Sequence, residues 1–452
     1  MKKIKILVIG LIFIPIFLFS DSWETIIDSL EPGGVGAICK TSDNGFVFTM
    51  SIGPQSHENL YLIKVDPLGN LLWSKEVFSS SNQDLGMEIE ETADKELLVV
   101  GVSYGEPRQG LILKTDSLGN ALDTFLLPPE SNLFCLEKAE DNCWIATGTK
   151  NDTAIIIKFT SDLEIIWERN YPGFINAQAI RKSPDGSGYV ILTLNFHPVT
   201  LYKIDNNGEV IWYREYPELE SFFLPGYLLD GGLAVLSDGG YLLTGLYHPR
   251  FPPTRLWRLC LIKLDSNGDT LWTRVFQPDT FVWGLFCWEE NNKYWIVAEI
   301  NVPRDDYWVR KGIKILKTDE NGNKEWEKDY LLEDYYIGIY DAEKLEDGII
   351  ILAQFSNFWL YLVRFDEEEY VFERENKRIS VYPNPVVSGY LYFNLPIGSE
   401  IEIYNVLGQK VWEDRTEKRI YRWDIKELPS GIYYYLIRSS GEITKGKICI
   451  IK

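Results

Sequence analysis

Three histidines, six cysteines and 66 acidic residues are the side chains from which this 452-residue chain would build a catalytic or metal centre. Histidine and cysteine hold zinc only when their spacing lets them converge on one ion. Cys39, Cys135, Cys143, Cys260, Cys287 and Cys449 show no such spacing, and His57, His197 and His248 fall in three separate loops, so neither a metal nor a cofactor is expected. The cysteines read as small apolar fillers of strands, with Cys135 and Cys143, flanking a predicted hairpin, as the one candidate disulfide. No GxSxG, HExxH, P-loop or dinucleotide fingerprint occurs, so no catalytic residue is assigned. A glycosidase needs only two carboxylates at the right separation. Asp305 and Asp306 are the first pair to inspect, although a solvated loop accounts for them more simply.

Aromatic and arginine side chains on irregular loops form the stronger pattern. Phe222 and Tyr227 lie in one such stretch, Arg250 and Phe251 in a second, Trp283 in a third, and Arg304, Tyr307 and Trp308 in a fourth. These residue types stack on sugar rings or anchor a protein partner. They are the candidate ligand-binding residues; some, Trp283 among them, could equally pack between structural units.

The elements that position these loops are written as a repeated phrase. A strand ending in Lys-x-Asp, a turn usually closed by Gly and a strand opening on Trp recur as YLIKVDPLGNLLW (Tyr61 to Trp73), LYKIDNNGEVIW (Leu201 to Trp212), LIKLDSNGDTLW (Leu261 to Trp272) and ILKTDENGNKEW (Ile315 to Trp326). Weaker copies sit at Lys114, Lys158 and Arg364, and successive markers are 44 to 60 residues apart. That period suits one four-stranded blade of a β-propeller, with strands A to D, and no helical periodicity interrupts it. In each turn the Asp is placed to accept backbone N–H groups and the Gly to take positive φ. The third and seventh units lack this Gly, which predicts looser or different turns there. Lys and Asp two residues apart share a strand face, so a local ion pair or a solvated blade edge is the expectation for the recurring lysine.

Trp23-Glu24-Thr25-Ile26-Ile27 reads as a strand D with no A, B or C before it, and the seventh unit has no Trp to open its own strand D. The N-terminal segment is therefore expected to complete the last blade, removing two open sheet edges. Residues 1–20, with Lys2, Lys3 and Lys5 before the apolar run Ile6 to Phe19, read as a signal peptide, leaving no stable membrane span once removed. The propeller is assigned to residues 21–368 and a charged linker to 369–378. A formal charge of −21, more negative still without the leader, argues against nucleic acid and anionic lipid as partners.

From residue 379 a second β segment begins. It carries Val381-Tyr382-Pro383-Asn384-Pro385, then Ile401 to Val411 with Gly408, then Trp423-Asp424 and Leu428 to Tyr435 with Gly431, and finally Lys445-Gly446-Lys447 before the terminal Ile451-Lys452. Strands broken by Pro, Asn and Gly turns over this length fit a small Ig-like β-sandwich. Residues 379–452 resemble the C-terminal sorting domain of type IX secretion substrates, and the repeats are similar to secreted β-propeller proteins that carry such a domain. The resemblance implies export across the outer membrane of a Gram-negative-type cell, with the secretion machinery as partner and the product released or held at the surface. The fold expectation is all-β, a seven-bladed β-propeller followed by the sandwich. The functional expectation is a secreted or surface binding protein, with an extracellular glycan or protein as ligand. A carbohydrate-active hydrolase or lyase with a site in the propeller channel, and a structural or adhesion component, are the alternatives.

Overall fold

Five copies of the phrase fold into a hairpin closed by their own aspartate. Asp66 Oδ1 accepts the backbone N–H groups of Leu68 and Asn70 at 2.9 and 2.8 Å, and Gly69 takes a φ of 78°, a region that costs L-residues energy. The same pair of bonds recurs at Asp116, Asp205, Asp265 and Asp319. The computed structural model describes residues 23–27, 32–54, 57–140, 142–171, 176–194, 199–217, 219–220, 232–247, 258–276, 281–304, 307–331, 337–346, 348–355, 360–366, 380–382, 390–395, 398–416, 420–426, 428–439 and 442–450. The proposed signal peptide, the linker, His197, His248 and Cys449's side chain lie outside the described residues.

Antiparallel strands build seven blades. Blade 1 runs Pro32–Lys40, Phe46–Ile52, Asn59–Val65 and Leu71–Phe78, and blades 2, 3, 4 and 6 repeat its order. Blade 7 takes strands A to C from Ile337–Leu345, Gly348–Phe355 and Leu360–Asp366, and its strand D is Trp23–Ile27, with Trp23 opposite Arg364 as Trp73 is opposite Lys64. Closure by the N-terminal strand is thus as the sequence implied. Seven apolar clusters fill the seven blade junctions, the last joining Phe48 and Ile63 of blade 1 to Ile350 and Leu362 of blade 7. The C-terminal segment forms a three-stranded and a four-stranded sheet that share one core, including Phe393, Ile403, Trp423 and Ile437.

The Trp and the Gly of the phrase belong together across blades. A Cβ added to Gly119, Gly268 or Gly322 would lie 2.8, 2.8 and 2.7 Å from the rings of Trp73, Trp212 and Trp272, each on the preceding blade. The tryptophan therefore lies on a turn that must be bare. Blade 2 has Asp123 where this Trp should stand, opposite Lys114, and the turn of blade 3, which follows it, lacks Gly. This turn is different, as expected: Leu163 adopts a φ of 62°, and Thr160 Oγ1 replaces the aspartate, accepting the N–H groups of Asp162 and Glu164 at 3.3 and 3.2 Å. Leu163 is buried in the blade 2–blade 3 cluster, occupying the space that a Trp would need. The seventh unit's turn lies outside the described residues.

This pairing makes a test. Asp123→Trp and Leu163→Gly should each destabilise, by steric clash and by a cavity, at about 1–3 kcal/mol. The double variant should recover at least ~1 kcal/mol of the summed loss, read from unfolding of all four proteins. Additive costs would show that the two positions are independent.

The recurring lysine corrects another expectation. Lys64 is not a solvated edge paired with its own Asp66; its side chain is 6% exposed and its Nζ reaches Thr41 and, at 2.7 Å, Asp43 in the A–B turn. Lys203 and Lys263 meet Asp185 and Asp238 in the same way at 3.0 and 2.8 Å, whereas Lys317 lies 4.1 Å from the Trp295 ring centre. The lysine thus ties strand C to the hairpin on the far side of strand B.

Candidate functional site

Two surfaces can recognise a ligand. The first is the end of the propeller carrying the B–C and D–A connections. Here blade 6 departs from its neighbours: strands Lys293–Arg304 and Tyr307–Thr318 each run twelve residues and stay paired to Arg304 opposite Tyr307. Strand A of this blade begins at Phe281, opposite Asn301, and strand D ends at Leu331, opposite Gly312, so the pairing of strands B and C continues past both. Arg304, Tyr307 and Trp308 therefore stand on a paired β-ribbon and not on the irregular loop expected from sequence. Trp283 is likewise in a strand, Phe281–Glu290, half-buried against the blade 6–blade 7 cluster, which is the packing alternative to a ligand contact.

Phe222, Tyr227, Arg250 and Phe251 lie outside the described residues, as do Asp305 and Asp306, but the strands flanking them are described. Leu219–Glu220 and Leu233–Val235 both pair with Tyr241–Tyr247, so the segment holding Phe222 and Tyr227 interrupts strand A of blade 5 and is not simply a D–A loop. His57 is exposed.

The second surface is the channel, which the sequence offered only as an alternative site and without residues. Strand A is the innermost strand of every blade, and equivalent positions around the ring bring Cys39, Glu90, Glu137, Arg181, Ala234, Trp288 and Glu343 to the axis, each opposite the strand B residue that pairs with the recurring Lys or Arg. Near the A–B turns these strands enclose a cavity of about 330 Å³ lined by Glu88, Glu90, Asp341 and Glu343 on one arc, with Arg181 and Trp288 elsewhere on the wall. Trp288 is stacked on Phe286 at 6.2 Å between ring centres. The signal existed only as one column of the repeat, read blade by blade, and no single blade holds two of these side chains at a motif-like spacing.

Burial pushes the Glu343 carboxyl up to about 7, against the opposing effect of a backbone N–H from Lys40 at 2.8 Å. Burial, followed by the charges of Glu90, Glu343, Glu91 and Glu88, holds the Cys39 thiol well above its ordinary range, so it is no nucleophile at neutral pH. Several of the carboxylates also join blades: Asp341 accepts the Ile38 N–H at 2.7 Å, and Glu91 the Ser42 N–H at 2.7 Å. Among the described residues, no group of three His, Cys, Asp or Glu side chains is placed to hold a metal ion. Cys39, Cys135, Cys143, Cys260 and Cys287 form no disulfide, and the candidate hairpin bridge fails on register, since Cys135 faces Thr147 and Cys143 faces Thr160.

In the C-terminal domain, Asn405 closes a turn as the blade aspartates do, its Oδ1 accepting the N–H groups of Leu407 and Gln409 at 3.0 Å, with Gly408 at a φ of 74°. Tyr382 pairs with Tyr392, and Gly431 opens strand Gly431–Ser439. Lys445 and Lys447 are exposed on one face of the last strand, opposite Leu436 and Tyr434. Pro383, Asn384 and Pro385 lie outside the described residues.

No curated protein matches the sequence. Solved structures of similar chain course include the Dos1 propeller, at 12% identity and a TM-score of 0.44 over 73% of this chain and 77% of that one. Another is a Bacteroides caccae protein, at 12% identity and 0.37 over 54% and 81%. A third is PorZ, described as an essential surface component of the type-IX secretion system of Porphyromonas gingivalis, at 9% identity and 0.33 over 92% and 81%. Residues 380–452 match the family of secretion system C-terminal sorting domains. Residues 380–452 are accordingly a type IX C-terminal sorting domain, which marks this β-propeller protein for the cell surface or the extracellular space.

Proposed function

We propose that the propeller is a recognition module and that it takes an extracellular glycan or protein on the end bearing the blade 6 ribbon. The observation that carries this reading is the ribbon itself. A paired hairpin whose strands carry Arg304, Tyr307 and Trp308 beyond the neighbouring strands puts residue types suited to stacking and bidentate bonding on a pre-ordered backbone, which lowers the entropy cost of binding. The connections holding Phe222, Tyr227, Arg250 and Phe251 and the strand holding Trp283 start from adjacent blades, 5 and 6. The type IX machinery engages the C-terminal domain, and the propeller is the cargo it delivers.

A second reading rests on the channel. Glu343, with its carboxyl pushed up to about 7, beside Asp341 in an open-mouthed cavity, is the pairing of acid and carboxylate that glycoside hydrolysis uses. The backbone bonds those two side chains already make favour a structural use of them.

Mature full-length protein on an array of polysaccharides and surface glycoproteins, with product release followed in parallel, separates the two. Trp308→Ala should weaken binding at least tenfold with no product formed, the scale of losing one aromatic anchor. Turnover abolished by Glu343→Gln would replace recognition with catalysis.

A further inference from the structure

The turn chemistry of the blades recurs in the C-terminal domain, and there it is uncovered. Asn405 Oδ1 and the positive φ of Gly408 close the hairpin between Glu400–Asn405 and Lys410–Arg415, with no call on the side chains of the two residues between them. In the propeller a tryptophan of the preceding blade lies on the equivalent glycine, within 3.1 Å of a Cβ added to Gly119, Gly208, Gly268 or Gly322. A Cβ added to Gly408 would meet nothing within 4 Å.

The tip residues differ in the same sense. Blades 4, 5 and 6 carry Asn206-Asn207, Ser266-Asn267 and Glu320-Asn321 there, and blades 1 and 2 carry one leucine each, Leu68 and Leu118. The C-terminal turn carries Val406 and Leu407, 65% and 78% exposed, the second being the most exposed large apolar side chain among the described residues. Neither the hydrogen bonds nor the φ requirement explains two aliphatic side chains in water, and such exposure marks a contact surface. Register extends the patch. Asn405 lies opposite Tyr433, so the exposed Ile432 borders the turn; Tyr433 and Tyr435 face the core, so Ile432 and Tyr434 share the outer face of the sheet. Lys410, opposite Tyr404 and held by Glu402 and Glu413, and Lys447, opposite Tyr434, flank the patch on either side. Residues 380–452 hold ten Lys and Arg against eight Asp and Glu, in a chain whose formal charge is −21.

We propose that the turn from Asn405 to Gln409, with Ile432 and Tyr434 beside it, is the surface by which the C-terminal domain docks on the type IX machinery, its tip entering an apolar socket with carboxylates at the rim. This rests on the reading that the machinery engages that domain. The socket supplies the cover that a tryptophan supplies in the blades, and the lysines beside the patch select an acidic rim.

Export of the full-length chain from a cell carrying the type IX machinery tests it, read as the fraction of the chain outside the outer membrane. Val406→Asn with Leu407→Ser should cut that fraction at least about tenfold, while Val406→Ile with Leu407→Met should keep it near wild type. Polar replacement of Leu68 and Leu118, on turns of the same chemistry, should leave export unchanged. Thermal unfolding of the purified full chains should be the same for all of them. A loss of export that the aliphatic exchange shares, or that comes with earlier unfolding, would make Val406 and Leu407 structural and overturn the proposal. Wild-type export of the polar variant would also overturn it; a wild-type dimer that becomes monomeric in that variant would then assign the patch to a second copy of the chain. A chain lacking residues 380–452 separates the two levels: if it is exported, the reading beneath fails, and if it is retained while the polar variant leaves normally, only the docking surface fails.

Discussion

Removing Trp23–Ile27 from the mature chain should lower the unfolding temperature more than any single substitution and turn a monodisperse protein into an aggregating one. Five register pairs join this strand to Leu360–Asp366. Without them, the outer edge of strand C in blade 7 is an unpaired row of N–H and C=O groups, a template for other chains. The lost strand also carries the covalent route back from blade 7 to blade 1, so the junction between those blades would rest on side-chain packing and on the bonds from Ile38 and Lys40 to Asp341 and Glu343. A loss of about 3–5 kcal/mol is expected, a large part of a typical domain's stability. Thermal unfolding and size-exclusion chromatography of the truncated and intact proteins would show it. A synthetic peptide of residues 21–30 added in trans should restore part of the loss, and a scrambled peptide should not. Identical unfolding of the two proteins would mean that blade 7 closes without its fourth strand.

The second large effect is expected at Asp43. Asp43→Ala leaves the ammonium of Lys64 buried with only Thr41 for company and should cost about 2–3 kcal/mol, whereas Lys64→Met, which removes the charge with most of its volume kept, should cost under ~1 kcal/mol. The asymmetry is the diagnostic, because an exposed ion pair would lose little by either change. Partial burial opposes ionisation of Asp43, yet hydrogen bonds from Lys64, Thr41 and Gly45 hold its carboxyl down at about 2. Its contribution is thus present above the ordinary aspartate range and is lost as pH falls through about 2, and acid titration of the wild-type and Asp43→Ala proteins should converge there. Equal costs for the two substitutions would place Lys64 in solvent.

The repeat made most of the architecture legible. Period, turn chemistry and the orphan Trp23 are local signals, and each survives in the blades and in the N-terminal closure. What sequence missed was a relation between strands far apart in the chain, within a blade or between blades. Lys64 was paired by spacing with Asp66, but its partner Asp43 lies 21 residues away and meets it through the strand register. The blade 3 turn seemed defective for want of Gly because the reason for Gly, a Trp on the preceding blade, is absent from blade 2. The channel column from Cys39 to Glu343 carries unlike residues at like positions, which a search for recurring residues passes over. The ribbon of blade 6 was read as a loop, although its strands stay paired to Arg304 and Tyr307.

The fit of each tryptophan to the following turn also bears on how such a ring could change its number of blades. If a blade were an independent module, copying or losing one in the gene would be harmless. Here the heritable unit straddles two blades, Trp with Gly at most junctions and Asp123 with Leu163 at one. Loss of blade 2 would bring Trp73 against Leu163, and loss of blade 3 would leave Asp123 facing Gly208, so either event creates a mismatch that a second mutation must repair. The odd junction acts as a lock on copy number, and lineages in which it has reverted to Trp and Gly are those in which blades should be gained and lost most freely.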